Sequence, residues 1–336
     1  MSAAGIRYDH LIAMSDDIGL FEHAKFTVPR CEHGYCVDDV ARGLIVVMRE
    51  PEPDDQLRAL ARVYLQFLAE AQSYDGRFCN RRGADGEWHD EPSTRDWWGR
   101  AVWALGTTVA RSDELADEAM ALFERSVTLR ASWLRPMAFA GFGAAEVLSV
   151  IPEHRSARAL LCAAAQRIAV PSVEGEWPWP EARLQYANAA LPQVLMAAGS
   201  LLDEPHWQEQ GLAMLEWLVR VETRGEHLSV TPVGGWVLGE PRPGFDQQPI
   251  EVAALADACA LAFELTANPL WSRTLERCAQ WFDGMNDVGV ALWDPADGSG
   301  CDGLERHGRN ENCGAESTLS MLATFQQVLR SLAVTS

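Results

Sequence analysis

The chain of 336 residues predicts an all-α fold, a single (α/α)6 toroid spanning 1–336. Three observations lead there. Apolar residues recur at helical spacing in segment after segment, strand alternation is nearly absent, and two kinds of helix alternate along the chain.

The first strong stripe covers 37–49, with Val40, Leu44, Val47 and Met48 on one face. A second covers 54–72, with Leu57, Leu60, Ala61, Tyr64, Phe67 and Leu68. After a Gly-, Asp- and Arg-rich loop, helical patterns recur at about 96–111, 113–131, 136–150, 154–170, 184–202, 204–223, 249–267, 269–285 and 314–332. The one expected exception is a small β-hairpin in the rim loop 226–239.

Segments 98–106, 138–147, 187–199, 252–263 and 314–325 are apolar almost all round, whereas 114–130, 204–222 and 271–283 carry a charged face. The first kind belongs inside a fold and the second on its periphery. Inner helices therefore begin near 38, 96, 136, 187, 250 and 314, with an outer helix in each gap, and segment 6–21 supplies the sixth outer element. Spacings between 40 and 64 residues are too irregular for a short-repeat solenoid. The irregularity comes from long loops before the inner helices, and rim loops are where such scaffolds carry function.

Composition narrows the function. With 28 basic and 48 acidic residues the formal charge is −20, which leaves no basic stripe for phosphate backbones or anionic membranes. Lys25 is the single lysine and follows His23-Ala24, so a phosphate-binding P-loop is excluded and pyridoxal chemistry is disfavoured. No apolar run approaches the ~18 residues of a membrane span, and the opening residues lack the basic and apolar regions of a secretion signal. A cytoplasmic location and eight free thiols are expected.

The loops before the inner helices share a distinctive residue set. They contain Cys31-Glu-His-Gly-Tyr-Cys-Val-Asp-Asp-Val-Ala-Arg42, Thr94-Arg-Asp-Trp-Trp-Gly-Arg100, Glu176-Trp-Pro-Trp-Pro-Glu-Ala-Arg-Leu-Gln-Tyr-Ala-Asn188, Phe245-Asp-Gln-Gln-Pro-Ile-Glu251 and Arg309-Asn-Glu-Asn-Cys-Gly-Ala-Glu316. Acids at helix N-termini are explained by capping and by the helix dipole. Capping does not explain why amides, arginines and tryptophans accompany them each time. Sugar hydroxyls, which want carboxylates, amides and guanidinium groups, and apolar sugar faces, which want an indole, do explain it.

Cleavage of a glycosidic bond needs one protonated and one ionised carboxyl. The candidate catalytic groups are Asp39, Glu181, Asp246, Glu251 and Glu316. Glu181 follows Trp177-Pro-Trp179-Pro180, apolar surroundings that favour a proton donor, while the other four stand at or near helix N-termini, which favours the ionised form. Candidate binding residues are His33, Tyr35, Asp38, Arg42, Asp96, Trp97, Arg100, Trp177, Trp179, Arg183, Tyr186, Asn188, Gln247, Gln248 and Asn312. Trp98, Trp236 and Trp293 also lie in or beside the loops, whereas Trp103, Trp217, Trp271 and Trp281 suit the core.

No metal or cofactor is expected. Cys31-x-His33-x-x-Cys36, with Cys301, His307 and Cys313, lacks the tight paired spacing of a zinc site. Asp38-Asp39 has Arg42 where a diphosphate–magnesium cluster needs a third acid, and the acidic segment 294–302 lacks the terminal glutamate of a calcium loop.

The motifs His33-Gly-Tyr-Cys-Val-Asp-Asp-Val-Ala-Arg42, Asp96-x-x-Gly-Arg100, Trp177-Pro-Trp-x-Glu181, Phe245-Asp-Gln-Gln-Pro-Ile-Glu251 and Asn312-x-Gly-Ala-Glu-Ser-Thr318 resemble a bacterial family of six-hairpin, glycosidase-like proteins. Members are found beside β-mannoside phosphorylase-type enzymes or fused to glycosyltransferase domains. The resemblance spans about residues 9–330 and implies the toroid and a carbohydrate context. One position departs from it: Cys313 stands where the family pattern leads one to expect glutamine. The expected activity is an inverting glycoside hydrolase acting on a short oligosaccharide or glycoconjugate. Alternatives are a sugar epimerase or isomerase, for which only His33 and His307 offer a histidine pair, and a non-catalytic sugar-binding partner of a glycan-processing enzyme.

Overall fold

The computed structural model describes residues 5–169 and 175–335. Its helices are α1 (Asp9–Ala13), α2 (Val37–Arg49), α3 (Asp55–Ala71), α4 (Asp96–Arg111), α5 (Ala116–Ser126), α6 (Leu134–Val150), α7 (Arg155–Ile168), α8 (Ala190–Leu201), α9 (Pro205–Val221), α10 (Pro249–Thr266), α11 (Pro269–Phe282) and α12 (Ala315–Thr335). Among the described residues none is long and apolar enough to cross a membrane.

The even-numbered helices close a ring. α2 packs on α4, α4 on α6, α6 on α8, α8 on α10, α10 on α12, and α12 returns to α2. Each odd-numbered helix from α3 to α11 packs outside its predecessor, and the short α1 packs on α12 and α3. This is the predicted (α/α)6 toroid. Burial follows the sequence pattern: α4 buries Trp98 through Thr108 without a break, while α3 buries only the face carrying Leu57, Leu60, Ala61, Tyr64, Leu65, Phe67, Leu68 and Ala71.

Local chemistry sets the helix starts. Asp54 caps α3 by accepting from the Leu57 N–H at 2.8 Å, and Asn268 caps α11 by accepting from Leu270 at 3.0 Å. Prolines open α9, α10 and α11, where a missing N–H costs nothing. Gly106 and Gly143 stand face to face, and a Cβ on either would strike the other helix's backbone, so α4 and α6 are the most intimate pair in the ring.

Two expectations shift. The helix expected over 184–202 begins only at Ala190, because Leu184 pairs with Trp236 and the Asn188 side chain accepts from the Gln185 N–H at 2.9 Å. The hairpin expected over 226–239 is shorter and earlier, pairing Thr223–Arg224 with His227–Leu228 around Gly225, whose φ of 61° suits the turn. The last predicted residue of the 154–170 helix lies outside the described residues.

Candidate active site at the barrel mouth

All six inner helices deliver their N-terminal ends to one rim, where they surround a cavity of about 980 Å3. Asp38, Asp39 and Arg42 come from α2, Asp96 and Trp97 from α4, Arg135 from α6, and Glu316 from α12. Glu181, Gln185 and Tyr186 precede α8 and Gln248 precedes α10. Glu22, His23, Arg81, Arg95, Asp302 and Trp133 complete much of the wall.

Arg42 is the centre of the floor. Its Nη2 donates to Asp39 at 2.5 Å and its Nη1 to Glu316 at 2.7 Å. Asp38 forms an ion pair with Arg100 at 2.8 Å and lies 3.6 Å from Arg42. Burial raises the Asp39 carboxyl to about 7; Arg42 pulls it down, and the nearby Glu316 and Asp38 push it further up. Burial acts on Glu316 in the same sense, but Arg42 and Arg100 outweigh it and hold that carboxyl below its ordinary range. One guanidinium therefore serves two carboxyls of opposite proton affinity.

On the far side of the ring, Arg135 Nη1 donates to both oxygens of Glu181 at 2.6 Å, and Gln185 donates to one of them at 2.7 Å. These charged and polar donors replace the apolar surroundings expected for Glu181. Asp96 accepts from the Tyr186 hydroxyl, and burial raises its carboxyl. Trp97 donates its indole N–H to the Phe78 carbonyl at 2.8 Å, which orients the ring.

Asp38, Asp39, Arg42, Asp96, Trp97, Glu181, Tyr186, Gln248 and Glu316 thus meet at the mouth. The other candidates lie outside its lining. Glu251 is buried and accepts from the Ala187 backbone N–H, the Asn188 backbone N–H at 3.2 Å and the Asn188 amide at 3.0 Å, so it and Asn188 pin the loop before α8. Gln247 is fully buried and bonds Val230, Gly244, Trp281 and Asp287. Asp246 is exposed away from the cavity, Arg183 pairs with Glu240 at 2.7 Å, and Asn312 accepts from the Phe26 N–H at 3.0 Å. Tyr35 stacks on Phe21 and donates to Asp16, while His33 lies edge-on to His23 at 5.2 Å. Arg100 is buried beneath the floor.

The aromatics are redistributed too. Trp177 and Trp179 pack on Trp217 at 5.2 and 5.6 Å, and Trp98 is fully buried. Trp133, which the loop motifs do not include, stands 68% exposed at the cavity rim. Arg135 was equally hidden, being an isolated arginine at the start of an apolar helix. A polar residue in the first turn of an inner helix was the signal that could have found it.

Among the described residues, one group of metal-ligating side chains converges: Glu22, Cys36 and Asp39, with ligand atoms within 4.8 Å of one another. Arg81 on Glu22 and Arg42 on Asp39 already supply positive charge there, and burial pushes the Cys36 thiol well above its ordinary value. That chemistry fits a neutralised acid cluster better than a cation site. Cys31 and His33 do not join the group.

No protein-family model matches the chain, and no curated protein matches it. Solved structures do. Cellobiose 2-epimerase from Bacillus thermoamylovorans B4167 superposes with a TM-score of 0.73 at 10% identity, covering 97% of this chain and 96% of that one. A sugar epimerase from a ruminal bacterium gives 0.72 at 11% identity, covering 96% and 95%. A GH76 α-mannanase of Bacteroides thetaiotaomicron gives 0.62 at 7% identity, covering 90% and 88%. The likeness runs over nearly the whole chain and establishes the shared toroid.

Proposed function

We propose that the protein hydrolyses a glycosidic bond in a short oligosaccharide or glycoconjugate, with Asp39 as proton donor and Glu181 as the base that activates water. The observation that carries this is Asp39 itself, a buried carboxyl raised to about 7 on the wall of an open cavity. A group of that kind stays partly protonated near neutrality and can protonate a departing oxygen. Glu181, ion-paired with Arg135, belongs to the loop entering α8, three inner helices away from α2 in a ring of six. Inversion requires carboxyls far enough apart for the sugar and an attacking water to sit between them, and on this reading Asp39 and Glu181 stand on opposite sides of that space.

This reverses the roles that the sequence suggested for the two residues. Charged donors reach Glu181 from α6, and burial reaches Asp39 despite its place in the first turn of a helix. Arg42, Asp38, Asp96, Gln248 and Glu316 offer donors and acceptors to sugar hydroxyls, and Trp133 and Trp97 offer aromatic surface at the rim.

Epimerisation or isomerisation is the second reading, supported by the names of two of the structural neighbours and by His23 on the cavity wall, whose ring packs against His33 outside the lining. Two bases that exchange a proton at one carbon must face it from both sides, whereas these two rings pack against each other. Incubating purified protein with manno- and gluco-oligosaccharides, with binding followed by thermal shift and products by chromatography, tests the proposal. Shorter sugars support hydrolysis; binding without turnover across the panel contradicts it and favours a sugar-binding role.

A further inference from the structure

Cys301 and Cys313 stand at the two ends of a hairpin whose strands, Gly303–Glu305 and Gly308–Asn310, pair in register. Beyond the paired strands the Asp302 N–H donates to the Asn312 carbonyl at 2.8 Å, which keeps the two chain segments side by side up to the cysteines. Each cysteine is also anchored from outside, Cys301 by donating its N–H to Leu292 at 2.8 Å and Cys313 by donating its N–H to Phe26 at 2.9 Å. Between these fixed backbones the two sulfurs share a hydrogen bond at 3.9 Å. Among the described residues no other two cysteines share one.

We propose that Cys301 and Cys313 are a dithiol modification site, which a small peroxide oxidises to an intramolecular disulfide. A disulfide needs sulfurs about 2.05 Å apart, so forming it closes a gap of 3.9 Å between two side chains that already face each other. The shared hydrogen bond with Cys301 pulls the Cys313 thiol below its ordinary value, against the effect of burial, and a bond with Ser299 acts in the same sense. Cys313 is therefore the attacking sulfur. Its thiolate bonds to one peroxide oxygen, the O–O bond breaks, and the departing hydroxide takes a proton and leaves as water. The Cys301 sulfur then attacks the resulting sulfenic acid at Cys313; the S–S bond forms, the S–O bond breaks, and the Cys301 proton leaves with the second water. The two thiols lose two electrons in total and the peroxide gains them.

Both cysteines are about 4% exposed, which restricts the oxidant to a small one. Their chain neighbours Asp302 and Gly314 line the mouth cavity. Asp302 accepts from the Gly314 N–H at 2.7 Å and from the Ser317 hydroxyl at 2.6 Å, and thereby holds the first turn of α12, where Glu316 stands. The Cys313 carbonyl also contacts a ring nitrogen of the buried His10 at 2.8 Å, tying the same point to α1. A bond between the sulfurs would clamp this junction, so oxidation reaches the rim of the site without touching its carboxylates. The proposal stands independently of the reaction catalysed there.

The test is peptide mapping of the intact protein after brief treatment with hydrogen peroxide, followed by alkylation of the remaining thiols in denaturant. The expected result is a linked peptide pair joining Cys301 to Cys313, reversed by dithiothreitol, with Cys36, Cys259 and Cys278 still fully alkylated. The oxidised protein should also melt at a higher temperature than the reduced one. In Cys313→Ser, or in Cys301→Ser should the first variant fold poorly, the linked pair and the temperature shift should both vanish. Full alkylation of Cys301 and Cys313 after peroxide, separate sulfinic or sulfonic acids on them, or linkage of either to a different cysteine would overturn the proposal.

Discussion

Asp39 and Glu316 sit on opposite terminal nitrogens of the Arg42 guanidinium, at 2.5 and 2.7 Å, and are displaced in opposite directions on the proton-affinity scale. Burial is the largest single influence on both; it prevails at Asp39, whereas at Glu316 the charges of Arg42 and Arg100 and the Arg42 hydrogen bond together outweigh it. The cavity therefore sets two carboxyls of different proton affinity within one hydrogen-bonded unit.

Replacing Asp39 by Asn should lower turnover of an unactivated glycoside by about 10^2–10^4-fold, the usual share of general acid catalysis. The same variant should keep most of its activity toward a substrate with a strongly acidic leaving group, which departs without a proton. Equal losses on both substrates would remove Asp39 from the donor role.

The pH profile follows from the same group. Asp39 must carry its proton to act, and its carboxyl titrates at about 7, so kcat/KM should fall as pH rises through that value. Arg42→Met removes the charge that opposes burial, so the alkaline limb should move upward while overall activity drops. An alkaline limb that stays in place would show that Arg42 does not tune Asp39.

Trp133→Ala should raise KM several-fold and leave kcat nearly unchanged, since an indole at the rim contributes about 0.5–1.5 kcal/mol of stacking. Because the side chain is largely exposed, the variant should melt at the wild-type temperature. A change confined to kcat would place Trp133 elsewhere in the reaction.

Stability should decline with alkalinity. Glu251 is raised by burial and by Glu222 to about 8, and burial raises Glu222 as well. The folded state then holds protons that the unfolded chain releases near 4.5, so stability is complete below that pH and falls, on the order of a few kcal/mol, as pH climbs toward 8. Glu222→Gln keeps an acceptor for the Thr231 N–H and hydroxyl and should flatten this decline. A wild-type melting temperature that rises from pH 5 to 8 would contradict the sign.

Much of the toroid was legible because apolar periodicity reports which faces are buried, and the two helix kinds reported their order in the ring. The mouth was legible in part. Asp38, Asp39, Asp96 and Glu316 occupy first turns of inner helices, with Arg42 one turn further into α2, and those turns all point to one rim. Glu251, Asn188 and Gln247 carry the same residue chemistry but are spent on buried loop N–H and carbonyl groups, which need partners wherever the chain turns inside the protein. Trp177 and Trp179 look like platforms in a line of text, yet they close against Trp217 from a helix far along the chain. Arg135 reaches Glu181 across 46 residues, and no local pattern announces such a contact.

The most direct test of the account is proton NMR of an oligosaccharide turning over in deuterated water, which reports the bond broken, the first anomer formed and any exchange at carbon. Hydrolysis through Asp39 and Glu181 predicts cleavage with inversion, no deuterium incorporated at C2, and loss of the signal change in both Asp39→Asn and Glu181→Gln. Deuterium at C2 without cleavage, or full activity in either variant, would contradict it.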